Sequence, residues 1–267
     1  MKCPNCNATN HQTGARFCCV CGSVLPQNDS SPFSNYPIAI NNGAVYCTNK
    51  SYNGEIRIPQ YLDGSLVDSI RPSAFDHCES ITSVQLPESV KVIGKDAFLG
   101  CRNLKEINIP ESVSVLEEYC FSGCKSLRSI TIPHSLVRIG NGAFCGDENL
   151  SNINLPNSIT SIGILAFSSC ALFDITVPRS ITRIEDSTFS NCKSLTHVTI
   201  PENITSIGKM AFALCGNLTN IDIPHSVTRI EHKAFSACFN LRTVTLRNRC
   251  VHIEDDVFPP RTEIIYQ

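Results

Sequence analysis

The 267-residue chain has no tryptophan and only 17% charged residues, with 22 basic against 24 acidic side chains and a formal net charge of −2. A near-neutral chain offers no electrostatic footprint for nucleic acid or for an acidic membrane surface, because phosphate affinity grows with the number of cationic contacts. No stretch approaches the roughly 18 apolar residues of a membrane span. The opening Met-Lys-Cys-Pro-Asn-Cys leaves no room for the apolar core of a secretory leader, so the expected location is cytoplasmic. A Gly-rich phosphate loop is also missing. The seven histidines (His11, His77, His134, His197, His225, His232, His252) have no neighbouring Ser or Cys of catalytic type. They read as surface residues, and the chain as a protein that is not an enzyme.

What the chain does have is repetition. Prolines fall at Pro87, Pro110, Pro133, Pro156, Pro178, Pro201 and Pro224, in steps of 23 residues with one step of 22. Phenylalanines keep phase at Phe75, Phe98, Phe121, Phe144, Phe167, Phe189, Phe212, Phe235 and Phe258. A fixed period of roughly 20 to 50 residues marks a stack of supersecondary units that lean on one another.

Each unit opens with Leu-x-x-Ile-x-Ile (Leu104, Ile107, Ile109; Leu218, Ile221, Ile223), whose period-2, β-branched pattern predicts a short strand with its apolar side inward. The proline that follows has no N–H for a ladder and ends the pairing. A second extended piece, Ser-Val-x-x-Ile-Gly (Ser89, Val90, Ile93, Gly94), leads into Ala-Phe-x-x-Cys, expected to be a compact turn of one helical turn. One unit cannot bury enough apolar surface to offset the entropy of ordering its own backbone. Stacking has to supply the rest.

This pattern, L-x-x-I-x-I-P-x-S-V-x-x-I-G-x-x-A-F-x-x-C, resembles the BspA-like, Treponema-type class of leucine-rich repeat. The resemblance covers about four-fifths of the chain. It implies a right-handed curved solenoid with a parallel sheet on the concave side and short convex strands or helical turns, in a family commonly bacterial or protist and used in adhesion and recognition. Three local departures stand out. Asp147 replaces a cysteine, one position is missing between Cys170 and Leu172, and the last unit has Arg247 for Pro and Cys250 for Val.

Residues 1–26 form a separate expectation. Cys3 and Cys6, eleven residues, then Cys18 and Cys21 make two Cys-x-x-Cys knuckles that suit tetrahedral zinc. They look like a short zinc ribbon with one structural zinc ion, Cys19 being a bystander. Residues 27–36 (QNDSSPFSNY from Gln27) read as a polar linker, 37–72 as an N-terminal cap, 73–261 as the repeats and 262–267 as a C-terminal capping strand.

The in-register cysteines Cys78, Cys101, Cys124, Cys170, Cys192, Cys215 and Cys238 read as small apolar filler, free in a reducing compartment. In this class of repeat the residues flanking the middle Ile face outward from the concave sheet. The candidate partner contacts are therefore Glu106, Asn108, Asn152, Asp174, Thr176, His197, Thr199, Asn220 and Asp222. The face is polar, made of small residues and mildly acidic, without the aromatic and Arg anchors of tight interfaces. The expected function is a scaffold for a protein partner. Nucleic-acid binding through the ribbon and surface adhesion after a non-standard export are the alternatives.

Overall fold

The computed structural model describes residues 37–267; the ribbon and linker expectations lie outside the described residues. Each coil has three sides. The first carries the Leu-x-x-Ile-x-Ile strands, from Gly54–Arg57 through Ile81–Gln85, Glu106–Ile107, Ser129–Ile130, Asn152–Ile153, Asp174–Thr176, His197–Thr199, Asn220–Ile223 and Thr243–Leu246 to Glu263–Tyr266. The second carries two-residue strands such as Val92–Ile93, Arg138–Ile139 and Arg229–Ile230. The third carries the Ala-Phe turns. Neighbouring coils pair in parallel at equivalent positions, for example Asp174 with His197 and Arg138 with Ser161.

The β-branched residues alternate as expected, so Ile107, Ile130, Ile153, Ile175 and Ile221 are buried while their neighbours in sequence face solvent. The second side begins with an antiparallel hairpin, Ile38–Asn41 with Ala44–Cys47. Its Asn42-Gly43 turn has φ of 50° and 78°, the positive pair that a two-residue hairpin of this twist requires. The insertion after Pro59 forms a second small hairpin, Tyr61–Leu62 with Ser65–Leu66. At the other end Glu263–Tyr266 pairs parallel with Thr243–Leu246 and leaves Ile264, Ile265 and Tyr266 exposed.

The Ala-Phe-x-x-Cys segment is not the expected helical turn: no helix occurs among the described residues. The residue two before each Phe has positive φ, from 52° at Tyr119 to 61° at Leu165, and so has the residue two after every Phe but Phe258, as at His77, Ser169, Asn191 and Leu214. A helix needs negative φ throughout. Left-handed backbone costs a non-glycine residue roughly 1–2 kcal/mol. Here it turns the amides along the solenoid axis, where they bond the next coil: Phe98 N–H donates to Cys120 O at 2.8 Å and Phe144 N–H to Ala166 O at 2.8 Å. Hydrogen bonding between coils offsets the strain.

Inside this turn side, Phe75 to Phe258 form one uninterrupted stack with ring centroids 5.0 to 5.7 Å apart. The cysteine that follows most of these Phe residues by three positions does more than fill space. Its thiol donates to the carbonyl of the Phe one coil back, as Cys101 to Phe75 (3.1 Å), Cys124 to Phe98 (3.3 Å) and Cys238 to Phe212 (3.0 Å). The sequence reading assigned these cysteines only an apolar role. A thiol is small enough for the site and still a weak donor, which is why the position repeats Cys and not Ala.

Candidate partner-binding face

The 22-residue unit divides the strand sides. On the second side a seven-stranded sheet ends at Ser161–Ile162 and a four-stranded sheet begins at Arg183–Ile184. On the first side Asn152–Ile153 and Asp174–Thr176 fall in different sheets, as do Glu106–Ile107 and Ser129–Ile130, and His197–Thr199 and Asn220–Ile223, so that side also breaks at 23-residue units. The cause of the second-side break is local: the corner from Cys170 to Leu172 has one residue where Cys192 to Leu195 has two. Apolar contact persists, since only a void of about 10 Å³ remains among Ile162, Val177, Ile184 and Phe189. Arg183 braces the far side, with its guanidinium 3.0 Å from Glu185, 3.2 Å from Asp186 and 2.9 Å from Glu231 two coils on.

The outward residues of the first side fall into four groups. Glu106 and Asn108 lie in the coil of Glu106–Ile107, and Asn108 is half-buried: its amide accepts from Leu86 N–H (2.7 Å) and donates to Leu86 O (2.9 Å). Asn108 therefore extends the ladder between coils. Asn152 is exposed on its own short strand. Asp174 and His197 stand side by side in register, as do Thr176 and Thr199, all four exposed. His197 Nδ1 lies 2.9 Å from the Thr196 hydroxyl. Asn220 and Asp222 share the strand Asn220–Ile223, and Asp222 is held by Arg247 at 3.0 Å from Nε. Arg247 stands where other units have proline, so this departure from the repeat places a cation on the face. The same guanidinium lies 3.8 Å from Glu202.

Beside the Asp174, His197, Thr176 and Thr199 group lies a cleft of about 840 Å³, with Val177, Ile200 and Pro201 as its apolar lining and Asn157, Arg179, Glu202 and Asn203 as its polar one. Sequence reasoning named its two threonines and missed the cleft. The shortened corner was the available signal. Exposed Phe173, next to Asp174, adds an aromatic at the same place.

One titratable group is buried far from this face. Asp147 is fully buried at the missing-cysteine position; its Oδ1 accepts from Cys124 N–H at 2.8 Å and its Oδ2 has no partner among the described residues. Burial pushes its carboxyl well above the ordinary range, against the pull of the Cys124 and Gly123 amides. Among the described residues no group of three or more His, Cys, Asp or Glu side chains gathers as a metal site, so the zinc reading rests on Cys3, Cys6, Cys18 and Cys21 alone.

Among solved structures, the chain is similar to the leucine-rich repeat protein TpLRR of T. pallidum, at 29% identity over 71% of this chain and 91% of that one, with a TM-score of 0.64. A leucine-rich repeat protein from Eubacterium ventriosum is 20% identical over 88% and 84% of the two chains, TM-score 0.48. The pneumococcal vaccine antigen PcpA is 18% identical over 92% and 82%, TM-score 0.48. No curated protein matches. The family model for the BspA type leucine rich repeat region matches residues 68–194 and 165–265. With the coil register, the Phe stack and this match in agreement, the chain belongs to the BspA-type leucine-rich repeat family.

Proposed function

We propose that the protein is a non-enzymatic scaffold whose first strand side binds a protein partner, centred on Asp174, Thr176, His197 and Thr199 and the adjoining cleft. The observation that carries this reading is the register that sets an acidic, an imidazole and two hydroxyl groups on two neighbouring strands at the lip of a cleft with an apolar lining. Ten strands at about 4.8 Å spacing form a surface on the order of 45 Å long, enough for a standard interface of about 800 Å² per partner. Small side chains admit close approach, and Phe173 and Arg179 supply the residue types that anchor interfaces. Glu106, Asn152, Asn220 and Asp222 extend the surface outward; Asn108 supports it from within.

Cys3, Cys6, Cys18 and Cys21 hold one structural zinc in this reading, because four thiolates complete a tetrahedron and leave no position for an activated water. The location is a reducing, cytoplasmic compartment, supported by the need of those thiolates to stay reduced.

The test is affinity capture from the native cell followed by mass spectrometry. It compares the intact chain, a face variant (Asp174→Arg, His197→Glu, Thr199→Arg) and a chain without residues 1–27. Loss of the captured protein with the face variant, at an unchanged denaturation midpoint, is expected. Retention with the face variant and loss with the truncation overturns the assignment in favour of the ribbon.

A further inference from the structure

The Cys47 amide donates to Ala74 O at 2.9 Å, the bond that Phe75 makes to Ala97 (2.7 Å) and Phe98 to Cys120 (2.8 Å) in later coils. Cys47 therefore stands at the head of the Phe column, in the place a phenylalanine takes everywhere else. In those later coils the cysteine thiol points at the residue in the Phe position one coil back, as Cys101 does at Phe75 and Cys215 at Phe189. For Cys78 that residue is Cys47. The register thus places the Cys78 thiol beside Cys47.

The two partners differ in access. Cys78 is buried, whereas Cys47 closes the hairpin strand Ala44–Cys47 and is partly open to solvent. Chiefly through the neighbouring Cys78 thiol, and with help from the Asn49 amide and Lys50, the Cys47 thiol is pulled down to about 7, while that of Cys78 is pushed up. Lys50 is itself 3.7 Å from Asp76. An accessible thiol with thiolate character attacks disulfides, and a second thiol in contact with it resolves the product.

We propose that Cys47 and Cys78 form a redox-sensitive pair that reacts with low-molecular-weight disulfides of the glutathione type and, once oxidised, ties the N-terminal hairpin to the first coil. The Cys47 thiolate attacks one sulfur of the small disulfide, forming a mixed disulfide and expelling a thiolate that takes up a proton. Cys78 then loses its proton and attacks the Cys47 sulfur, expelling the second small thiolate, which is protonated in turn. Two protein thiols are oxidised and one small disulfide is reduced to two thiols. Cys215 and Cys238 are also neighbouring thiols, but both are buried and donate to the carbonyls of Phe189 and Phe212, and they serve as the internal control. This inference is independent of the partner-binding face.

The experiment treats the full chain with glutathione disulfide near neutral pH, blocks free thiols with an alkylating reagent and maps the peptides by mass spectrometry. A Cys47–Cys78 linked peptide is expected, with Cys215 and Cys238 recovered as free thiols. Cys78→Ser should stop at a stable glutathione adduct on Cys47, and Cys47→Ser should give neither product. Two results overturn the proposal: recovery of both thiols free in the intact chain while exposed Cys250 is modified, or a glutathione adduct on Cys47 of the intact chain that never resolves onto Cys78. Because the intact chain carries the decisive readout, a variant that fails to fold leaves the test standing.

Discussion

The turn side and the strand sides of this solenoid respond differently to the same defect. One residue is missing after Cys170, and across that unit the otherwise continuous second strand side falls into two sheets. The turn side continues: Leu165 N–H donates to Asp186 O (3.1 Å), Phe167 to Thr188 (2.9 Å) and Ser169 to Ser190 (2.8 Å). The Phe stack widens there only to 5.7 Å. The defect lies in the corner between turn and strand, so the strand enters its side out of step while the turn before it is untouched. Continuity across the short unit thus rests on aromatic packing and turn amides.

The sharpest way to break this contrast is to cut the column where it is the main link. Phe167→Ala should cost about 3–5 kcal/mol through lost burial and the cavity left behind, and chemical denaturation should then resolve into two steps. Phe98→Ala should cost a similar amount but retain one transition, because the second-side strand Val92–Ile93 beside it is paired on both edges. A single transition in both variants, with equal midpoints, would show that the short unit is an ordinary junction.

Next in size is Asp147. Its folded carboxyl is raised by burial, so the folded state holds a proton that the unfolded state releases above about pH 4. The sign follows: its contribution is fully present below that pH and is lost as pH rises toward the folded value. Removing a buried, half-satisfied carboxyl should gain about 1–3 kcal/mol at pH 8. Asp147→Cys is therefore expected to raise the denaturation midpoint at pH 8 and to narrow its difference from pH 5. An unchanged pH profile would mean that Asp147 is ionised in the fold.

A smaller effect, of about 0.5–1.5 kcal/mol per hydrogen bond gained, is expected from inserting one residue after Ala171. The insertion restores the 23-residue spacing and should pair Ser161–Ile162 with Arg183–Ile184. In the native chain the amides of Thr182 and Glu185 should exchange faster than those of Thr205 and Gly208, which bond Thr182 O and Ile184 O at 2.8 Å each; the insertion should slow them. Equal exchange at all four positions before insertion would show that the second side is continuous. Smallest of all, exposed Thr199→Ala should shift stability by less than about 0.5 kcal/mol. A larger loss would place Thr199 among the residues that hold the coils together.

Much of this was written in the sequence, because a solenoid makes each local pattern repeat the same contact. The alternation around Ile107, Ile175 and Ile221 set which side chains are buried. The phase of the phenylalanines anticipated their common interior column. The three departures at Asp147, after Cys170 and at Arg247 were visible as departures. Their consequences were not, since each depends on the coil above or below: an amide from Cys124, a strand left without its neighbour, an aspartate at Asp222 to receive the guanidinium.

The sequence by itself determined the period, the buried set and the outward row of Glu106, Asp174, His197 and Asp222, because periods of 2 and 23 need only chain geometry. Tertiary structure decided what lies next to what. It turned the predicted helical step into left-handed residues whose amides bond the next coil, made donors of the cysteines, drew Asn108 into the ladder and set Cys47 in the place of a phenylalanine against Cys78. Contacts between coils join residues more than 20 positions apart, and no local propensity reports on a partner at that distance.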